Sequence, residues 1–439
     1  MTSTDTTSLV DPGTYETGPP FGLLHRLREE TPVVRVDEPA LHGQPAGTGF
    51  WLVLRHGDVE AVLRDPATYS SWRGATQVRD AADLDWVRRM MLNMDPPDHT
   101  RLRRLLTRSF TPRAVAALTG AIEATAARLV DRMIDGADEG VCDFAKDVAA
   151  DLPLLVLAEV LGVPAEDRWL MFDWSNRVIG WQDPDYATSA AFDGSGGTAM
   201  AREALALRPS PDAGGRMHDP RTRAGMPDLY AYARLLAEEK RRAPGTDVMS
   251  ILLAQDDEDG GGVSDAEFEN MFWLFAVAGN ETLRNGLPGG LIALLQHPEQ
   301  LAAVRTNPSL LPGAVDEMLR WWTPVMVFRR TATRDVDLAG TPIRTGDKVV
   351  VSFTSANRDP AVFADPERFD VRRAPNPHLS FGHGPHFCLG GQLARTQMRA
   401  LFGELLRRTS VLDLAAPPVL LRSSFQRGVK RLPLHWVAA

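Results

Sequence analysis

The chain has 439 residues, of which 44% are hydrophobic and 24% are charged. This composition excludes a largely disordered chain, which would combine low hydrophobicity with high net charge, and it supplies enough apolar material for a large core. The 48 Lys and Arg against 57 Asp and Glu give a formal net charge of −9, which disfavours a nucleic-acid-binding protein.

The chain contains two cysteines, Cys142 and Cys388. Two thiols exclude a disulfide framework, an iron–sulfur cluster and an all-cysteine zinc site. The first residues are polar and lack a secretion signal, and no apolar stretch is long enough to span a bilayer. We therefore expect a soluble, cytoplasmic protein.

The residue pattern of the first 250 positions predicts a tail followed by a mostly helical region. Residues 1–19 are expected to form a flexible tail, and residues 20–70 mix a short helix with strand-like runs. Between about 101 and 253 the apolar residues recur every three or four positions, which indicates helices. A stretch rich in Gly, Pro and Asp at about 181–228 breaks this pattern, and it is either a mobile lid or a disordered surface loop.

The second half of the chain predicts long helices and short strands. A long helix is expected at about 264–295 and another at 311–322, which Pro324 ends. Residues 325–353 alternate as strands do, and a last helix begins just after Cys388 with its apolar residues on one face. We predict a mainly α (α+β) fold in which residues 20–439 form a single domain and about 181–228 form a lid-like insert.

The most informative segment is residues 381–390, Phe-Gly-His-Gly-Pro-His-Phe-Cys-Leu-Gly. A lone cysteine is usually a buried, inert thiol. Here Gly382, Gly384 and Gly390 allow backbone angles and close approaches that side chains forbid. Cys388 lies at the start of a predicted helix, where backbone N–H groups stabilise a thiolate. One thiolate suits a metal whose other ligands come from elsewhere, and haem iron is the standard case.

This segment resembles the haem-binding signature of the cytochrome P450 superfamily, and further matches extend the resemblance from about residue 20 to the C-terminus. The resemblance implies a P450-like fold, rich in helix with small sheets around a buried haem b (iron protoporphyrin IX). It also implies that Cys388 is the axial ligand of the iron. The other cofactor-binding residues that it implies in this segment are Phe381, Gly382, Gly384, His386 and Gly390.

A second match is Glu317-Met-Leu-Arg320. Taken alone, this pair is a surface ion pair worth a few tenths of a kcal/mol. Followed by Pro324, it is similar to the Glu-x-x-Arg helix of the family. The resemblance implies a scaffolding triad of Glu317, Arg320 and Arg368 that fixes the segment leading into the cysteine loop.

A third match is Ala278-Gly-Asn-Glu-Thr282 in the predicted long helix. A glycine in a helix costs about 1 kcal/mol relative to alanine, and it marks either a tight packing point or room for a ligand. The resemblance implies that Ala278 and Gly279 line the oxygen groove. It also implies that Thr282 donates a hydrogen bond to bound O2 and that Glu281 relays protons.

A fourth match is residues 94–104, where His99 and Arg103 share a helix face. Taken alone they form a solvated, basic helix start. Buried haem propionates need charged donors, and the resemblance implies that His99, Arg103, Arg330 and His386 hold them. Arg329 is the alternative to Arg330, because strand alternation directs only one of the two inward.

These resemblances imply a monooxygenase that hydroxylates a hydrophobic organic substrate of the sterol, terpenoid, lipid or polyketide type in secondary metabolism. We find no flavin, nicotinamide or iron–sulfur module, and the resemblance to soluble bacterial members of the family implies that electrons come from a separate ferredoxin and ferredoxin reductase. Arg104, Arg395 and Arg399 could dock an acidic partner. The alternatives are a peroxide-driven peroxygenase and a non-catalytic haem-binding sensor.

Overall fold

The computed structural model describes residues 6–41, 45–179, 183, 196–211, 218–220, 222–255 and 261–439. The chain divides into two compact units. Unit 1 comprises Met1–Arg73, Ala117–Leu152 and Thr282–Ala439, and unit 2 comprises Gly74–Ala116 and Pro153–Glu281. The single domain expected over residues 20–439 stays a prediction.

Helices make up most of the described chain. They are Phe21–Glu30, His56–Arg64, Leu84–Val87, Asp98–Thr107, Pro112–Ile134, Asp151–Leu161, Arg168–Ile179, Ala199–Leu205, Pro227–Arg242, Val248–Leu253, Asp265–Gln296, Pro298–Thr306, Leu311–Trp322, Phe353–Ala356 and Gly391–Arg408. We call Asp265–Gln296 the long helix and Gly391–Arg408 the cysteine helix. Both agree with the helices expected from the sequence, and at Thr323 the backbone leaves the helix in a left-handed conformation one residue before Pro324.

The described strands all belong to unit 1 and form small sheets. The largest sheet has the strand order Val33–Val36, Phe50–Val53, Lys348–Ser352, Val327–Ala332 and Tyr69–Ser70. The three-stranded sheet has the order Glu139–Asp143, Pro433–Ala438 and Thr409–Leu414, and the two-stranded sheets are Val336–Leu338 with Thr341–Ile343 and Val419–Leu420 with Val429–Arg431. The predicted mainly α (α+β) class is confirmed.

One apolar core joins the largest sheet to a neighbouring helix. Val349 and Val351 lie on one face of their strand and are fully buried with Val59 and Val62 of the helix His56–Arg64. Residues two apart in a strand share a face, whereas residues three or four apart share a helix face. This core fixes the helix His56–Arg64, whose residue Leu63 lies next to Gly384.

Two expectations concern the tail and the insert. Residues 7–17, which we expected to belong to a flexible tail, form the 3-10 helices Thr7–Leu9 and Pro12–Thr17, and the hydroxyl of Tyr15 donates to the carbonyl oxygen of Leu9 at 3.0 Å. Most of the lid-like insert at about 181–228 lies outside the described residues, and its described part contains the short helix Ala199–Leu205.

None of the helices in the described ranges is both long enough and apolar enough to cross a bilayer.

A buried ion cluster fixes the chain before the cysteine loop. Both side-chain oxygens of Glu317 accept hydrogen bonds from Arg320 at 2.7 Å, and both residues are fully buried. Arg320 also donates to the carbonyl oxygens of Asn357 at 2.8 Å and Arg368 at 3.1 Å. The helix Leu311–Trp322 is therefore fastened to the irregular segment that follows the largest sheet.

The expected triad is wrong in one member. Arg368 contributes its backbone oxygen, whereas the guanidinium that reaches Glu317 belongs to Arg373, with Nε at 3.2 and 3.3 Å from the two carboxylate oxygens. Arg373 also donates to the carbonyl oxygen of Ala364 at 2.6 Å. A turn in the segment brings residue 373 back to the carboxylate.

Replacing Glu317 by Gln should lower the free energy of unfolding by about 3–5 kcal/mol, because two buried guanidinium groups lose their counter-ion. Denaturant unfolding of the purified protein measures this change. The control is Asp131→Asn, which removes an exposed partner of Arg408 at 2.7 Å and should change stability by less than about 1 kcal/mol. Equal effects of the two variants would contradict a stabilising role for the cluster.

Candidate functional site

The cysteine loop (residues 381–390) is closed by its own backbone. The amide of Cys388 donates to the carbonyl oxygen of Phe381 at 2.9 Å. Inside this closure, the amide of Phe387 donates to the carbonyl oxygen of Gly384 at 3.0 Å. The loop ends at Gly390, and the cysteine helix begins at Gly391. Cys388 thus lies three residues before an 18-residue helix, at the end where the helix dipole favours an anion.

Two of the three predicted glycines are required by the backbone. Gly382 and Gly384 have φ angles of +70° and +69°, which residues with a side chain adopt rarely. A Cβ atom on Gly384 would also lie 2.4 Å from the carbonyl oxygen of Leu63. Gly390 differs, because its φ is −86° and open space surrounds the position of a Cβ atom.

The two cysteines occupy opposite environments. Cys388 is exposed and Cys142 is half-buried. Burial, together with Asp147 and Asp143, raises the pKa of the Cys142 thiol to about 12. Thiolate is the form that binds metals, so Cys388 is the cysteine suited to metal ligation.

The side chains of Arg395 and His378 pack against the ring of Phe381. The guanidinium carbon of Arg395 lies 4.5 Å from the centre of this ring, and its Nε donates to Oδ1 of Asp316 at 2.7 Å. The ring of His378 lies 5.7 Å from that of Phe381. Burial alone would raise the pKa of Asp316, but hydrogen bonds from His378 and Arg395 lower it below its ordinary value. Arg395, which we expected at a docking surface, makes these contacts within unit 1.

The other basic candidates of unit 1 are His386 and Arg330. His386 is half-buried, and its Nε2 lies 3.4 Å from the hydroxyl oxygen of Ser71. Arg330 pairs with Val349 in the largest sheet. Arg329 and Arg330 are both buried, at 4% and 3% exposure. Consecutive strand residues point to opposite faces, and both faces of this inner strand are covered, so the choice between Arg330 and Arg329 stays a prediction.

The long helix exposes one narrow stripe. Ala278 and Gly279 are exposed and Phe275 and Thr282 are half-buried, while most other residues of the helix between 268 and 294 are buried. These positions are three or four residues apart, which places them on one helix face. Glu281 is fully buried, so it lies off this stripe.

Gly279 on the stripe and the buried Asn280 next to it both make packing contacts within unit 2. A Cβ atom on Gly279 would lie 2.9 Å from Cδ1 of Leu157, so the glycine is also a tight packing point. Asn280, to which the sequence assigned no role, donates from Nδ2 to the hydroxyl of Ser175 at 3.1 Å. That hydroxyl donates to the carbonyl oxygen of Ala276 at 3.2 Å. No sequence pattern signals this contact, since its partners are 105 residues apart.

The remaining candidates, His99 and Arg103, lie one turn apart in the helix Asp98–Thr107 of unit 2, where His99 is buried and Arg103 half-buried. The sequence-predicted site residues are therefore divided between the units. Unit 1 contains Thr282, Arg330, Phe381, Gly382, Gly384, His386, Cys388 and Gly390, and unit 2 contains His99, Arg103, Ala278, Gly279 and Glu281.

The residues of the cysteine loop fit a flat, apolar, metal-containing group. The Cys388 thiol and the Phe387 ring, which is 42% exposed, are both accessible, and the space around Gly390 is open. The sulfur would ligate the metal, and the aromatic and backbone surface of the loop would pack against an apolar ring. These features allow a thiolate-ligated metal macrocycle.

Comparison with known proteins agrees with this chemistry. The cytochrome P450 family model matches residues 231–429. A methyl-branched lipid omega-hydroxylase of Mycobacterium bovis is 37% identical over 417 residues, covering 94% of this chain and 90% of that protein. A steroid C26-monooxygenase of Mycolicibacterium smegmatis is 37% identical over 425 residues, covering 95% and 90%.

A solved structure is also similar. Cytochrome P450 CYP268A2 of Mycobacterium marinum, in complex with pseudoionone, is 34% identical with a TM-score of 0.83 and covers 98% of each chain. The predicted P450-like fold is confirmed.

Replacing Gly384 by Ala should lower the free energy of unfolding by at least about 1–3 kcal/mol. The reason is that alanine rarely adopts the left-handed φ of this position, and its Cβ atom would also overlap the carbonyl oxygen of Leu63. The matched control is Gly390→Ala, which introduces the same methyl group at an ordinary φ with open space. Thermal unfolding of both variants without added cofactor measures the difference. A similar loss in both variants would contradict this account of the loop.

Proposed function

The chain belongs to the cytochrome P450 family and is a haem-thiolate monooxygenase, and from this premise we propose that it hydroxylates a lipid- or sterol-like substrate. It would use O2 and electrons from a separate ferredoxin and ferredoxin reductase in the cytoplasm. The observation that carries this proposal is the accessible Cys388 thiol at the start of the cysteine helix. Accessibility, the helix dipole and the closed loop together favour a thiolate ligand.

We propose haem b as the cofactor, with Cys388 as its axial ligand. Gly382 and Gly384 shape the loop, Phe381 closes it through its carbonyl oxygen, and Gly390 has open space where a side chain would begin. His99, Arg103, Arg330 and His386 are proposed to hold the propionates, as the family resemblance implies. Guanidinium and imidazolium groups donate charge-assisted hydrogen bonds to carboxylates.

The long helix supplies the oxygen-handling residues in this proposal. The bound haem supplies O2 binding and O–O bond cleavage. Ala278 and Gly279 lie on the accessible stripe and would line the oxygen groove, although Leu157 packs where a Gly279 side chain would begin. Thr282 lies on the same stripe and would donate a hydrogen bond to bound O2, and Glu281, buried beside it in the chain, would relay protons.

The substrate proposal rests on apolar surfaces and on the relatives. In unit 1, Phe328 and Phe425 are half-buried with ring centres 5.8 Å apart, and Val325 is bridged to Gln426 beside them. Half-buried aromatic side chains of this kind line sites for apolar ligands. The names of the two relatives, a lipid hydroxylase and a steroid monooxygenase, support a hydrophobic substrate of these classes.

Replacing Cys388 by Ser should abolish the red-shifted, thiolate-type absorption of the reduced carbonyl complex, because the sulfur ligand is lost. The control is Cys142→Ala, which removes the other thiol and should leave the spectrum unchanged. Difference spectroscopy of the reconstituted proteins measures both. A thiolate spectrum in the Ser variant would contradict the assignment of Cys388.

Replacing Thr282 by Ala should leave haem binding intact and divert a large part of the reducing equivalents to hydrogen peroxide, because proton delivery to O2 is impaired. The matched variant Thr282→Ser keeps the hydroxyl and should stay coupled. The measurement is product and peroxide formed per reducing equivalent, in a reaction reconstituted with ferredoxin, its reductase and a lipid or sterol.

Two outcomes of that reaction count against the proposal. Tight coupling in the Ala variant would show that protons arrive by another route. Wild-type turnover with peroxide alone, equal to that with the electron donors, would favour a peroxygenase instead.

A further inference from the structure

The ring of Phe381 is held between two side chains that share one carboxylate oxygen. The guanidinium of Arg395 lies over the ring, with its carbon 4.5 Å from the ring centre. The ring of His378 packs beside it at 5.7 Å with an interplanar angle of 47°. Both side chains approach Oδ1 of Asp316, Arg395 Nε at 2.7 Å and His378 Nε2 at 3.2 Å. We call Asp316, His378 and Arg395 the Phe381 clamp.

The clamp is coupled to the cysteine through the backbone. The carbonyl oxygen of Phe381 accepts the Cys388 amide at 2.9 Å, so a displaced Phe381 would displace the residue that carries the sulfur. The neighbouring ring of Phe387 also lies 6.3 Å from that of Phe381. All these residues belong to unit 1.

The clamp is preorganised and partly shielded from water. The side chain of His378 is 2% exposed, and those of Arg395 and Asp316 are 25% and 32% exposed. The effective dielectric constant is lower around partly buried charges than around fully exposed ones. The charges of Arg395 and Asp316 therefore act on a neighbouring charge more strongly than exposed charges at the same distance would. A guanidinium held flat on an aromatic ring is also attracted by the ring electrons.

We propose that the Phe381 clamp positions Phe381 and Cys388, and that its two charges set the reduction potential of the iron that Cys388 binds. This rests on the proposed function of Cys388 as the axial ligand. Reduction adds one negative charge at the iron and its thiolate. The positive charge of Arg395 favours that reduction, and the negative charge of Asp316 opposes it.

A purely structural role would give a different pattern. If the three residues only stabilised the loop, removing either charge would loosen Phe381 and shift the potential in one common direction. If the charges act, removing Arg395 and removing the charge of Asp316 must shift the potential in opposite directions. The sign of the two shifts therefore separates the two roles.

The variants are Arg395→Gln and Asp316→Asn. Asn keeps an Oδ1 atom that can accept from both His378 and Arg395, so it removes the charge with little change in shape. The control is Arg407→Gln on the same helix, which breaks an exposed pair with Glu404 at 2.5 Å. Arg407 is twelve residues, or about 18 Å, beyond Arg395.

Spectroelectrochemical titration of the haem-loaded proteins measures the midpoint potential. Arg395→Gln should lower the equilibrium constant for reduction about tenfold, which equals about 59 mV for one electron. Asp316→Asn should raise that constant severalfold, and Arg407→Gln should change it less than twofold. Arg395→Lys keeps the charge and should stay closer to the wild type than Arg395→Gln.

Shifts of Arg395→Gln and Asp316→Asn in the same direction, or unchanged potentials in both, overturn the proposal. If Arg395→Gln does not retain haem, an unchanged or lowered potential of Asp316→Asn overturns it alone. The proposed function fails separately: wild-type protein without a thiolate-type reduced carbonyl spectrum contradicts the role of Cys388 before any variant is compared.

Discussion

The site depends on one backbone hydrogen bond, from the amide of Cys388 to the carbonyl oxygen of Phe381. This bond closes the loop over the left-handed turns at Gly382 and Gly384, and it delivers the sulfur to the start of the cysteine helix. Neither turn is open to an ordinary side chain without strain. Cys388 is exposed at the end of this closed loop.

Two neighbouring acids fasten the surroundings of that loop in different directions. Asp316 and Glu317 are consecutive in the helix Leu311–Trp322, so their side chains point about 100° apart. Glu317 binds the buried guanidinium groups of Arg320 and Arg373, and these hold the segment that leads to the loop. Asp316 binds Arg395 from the helix that leaves the loop. One helix therefore secures the chain on both sides of the cysteine loop.

The sequence was sufficient for features that short-range patterns determine. The long helix, the helix that ends before Pro324 and the helix after Cys388 were predicted because apolar spacing and proline act locally. The turns at Gly382 and Gly384 could likewise be anticipated from residue type. The assignments of ligand roles came from family resemblance and stay proposals.

The sequence was insufficient where the chain path decides which side chain meets which. Arg368 was expected at Glu317, but a turn that no local pattern specifies brings Arg373 there instead. Arg329 and Arg330 are both buried, because the covering of a strand depends on distant elements. The contact of Asn280 with Ser175 spans 105 residues, and residue types alone do not signal it.

The contrast between the two thiols has a practical consequence. Near neutral pH the Cys142 thiol, with a pKa of about 12, is almost entirely protonated and reacts slowly with alkylating reagents. Cys388 is the exposed cysteine, so iodoacetamide applied to the cofactor-free polypeptide should label it ahead of Cys142, and iron bound to Cys388, as proposed, would suppress that labelling. The fraction of Cys388 that is alkylated, measured by mass spectrometry, would therefore report how much of the protein lacks the cofactor.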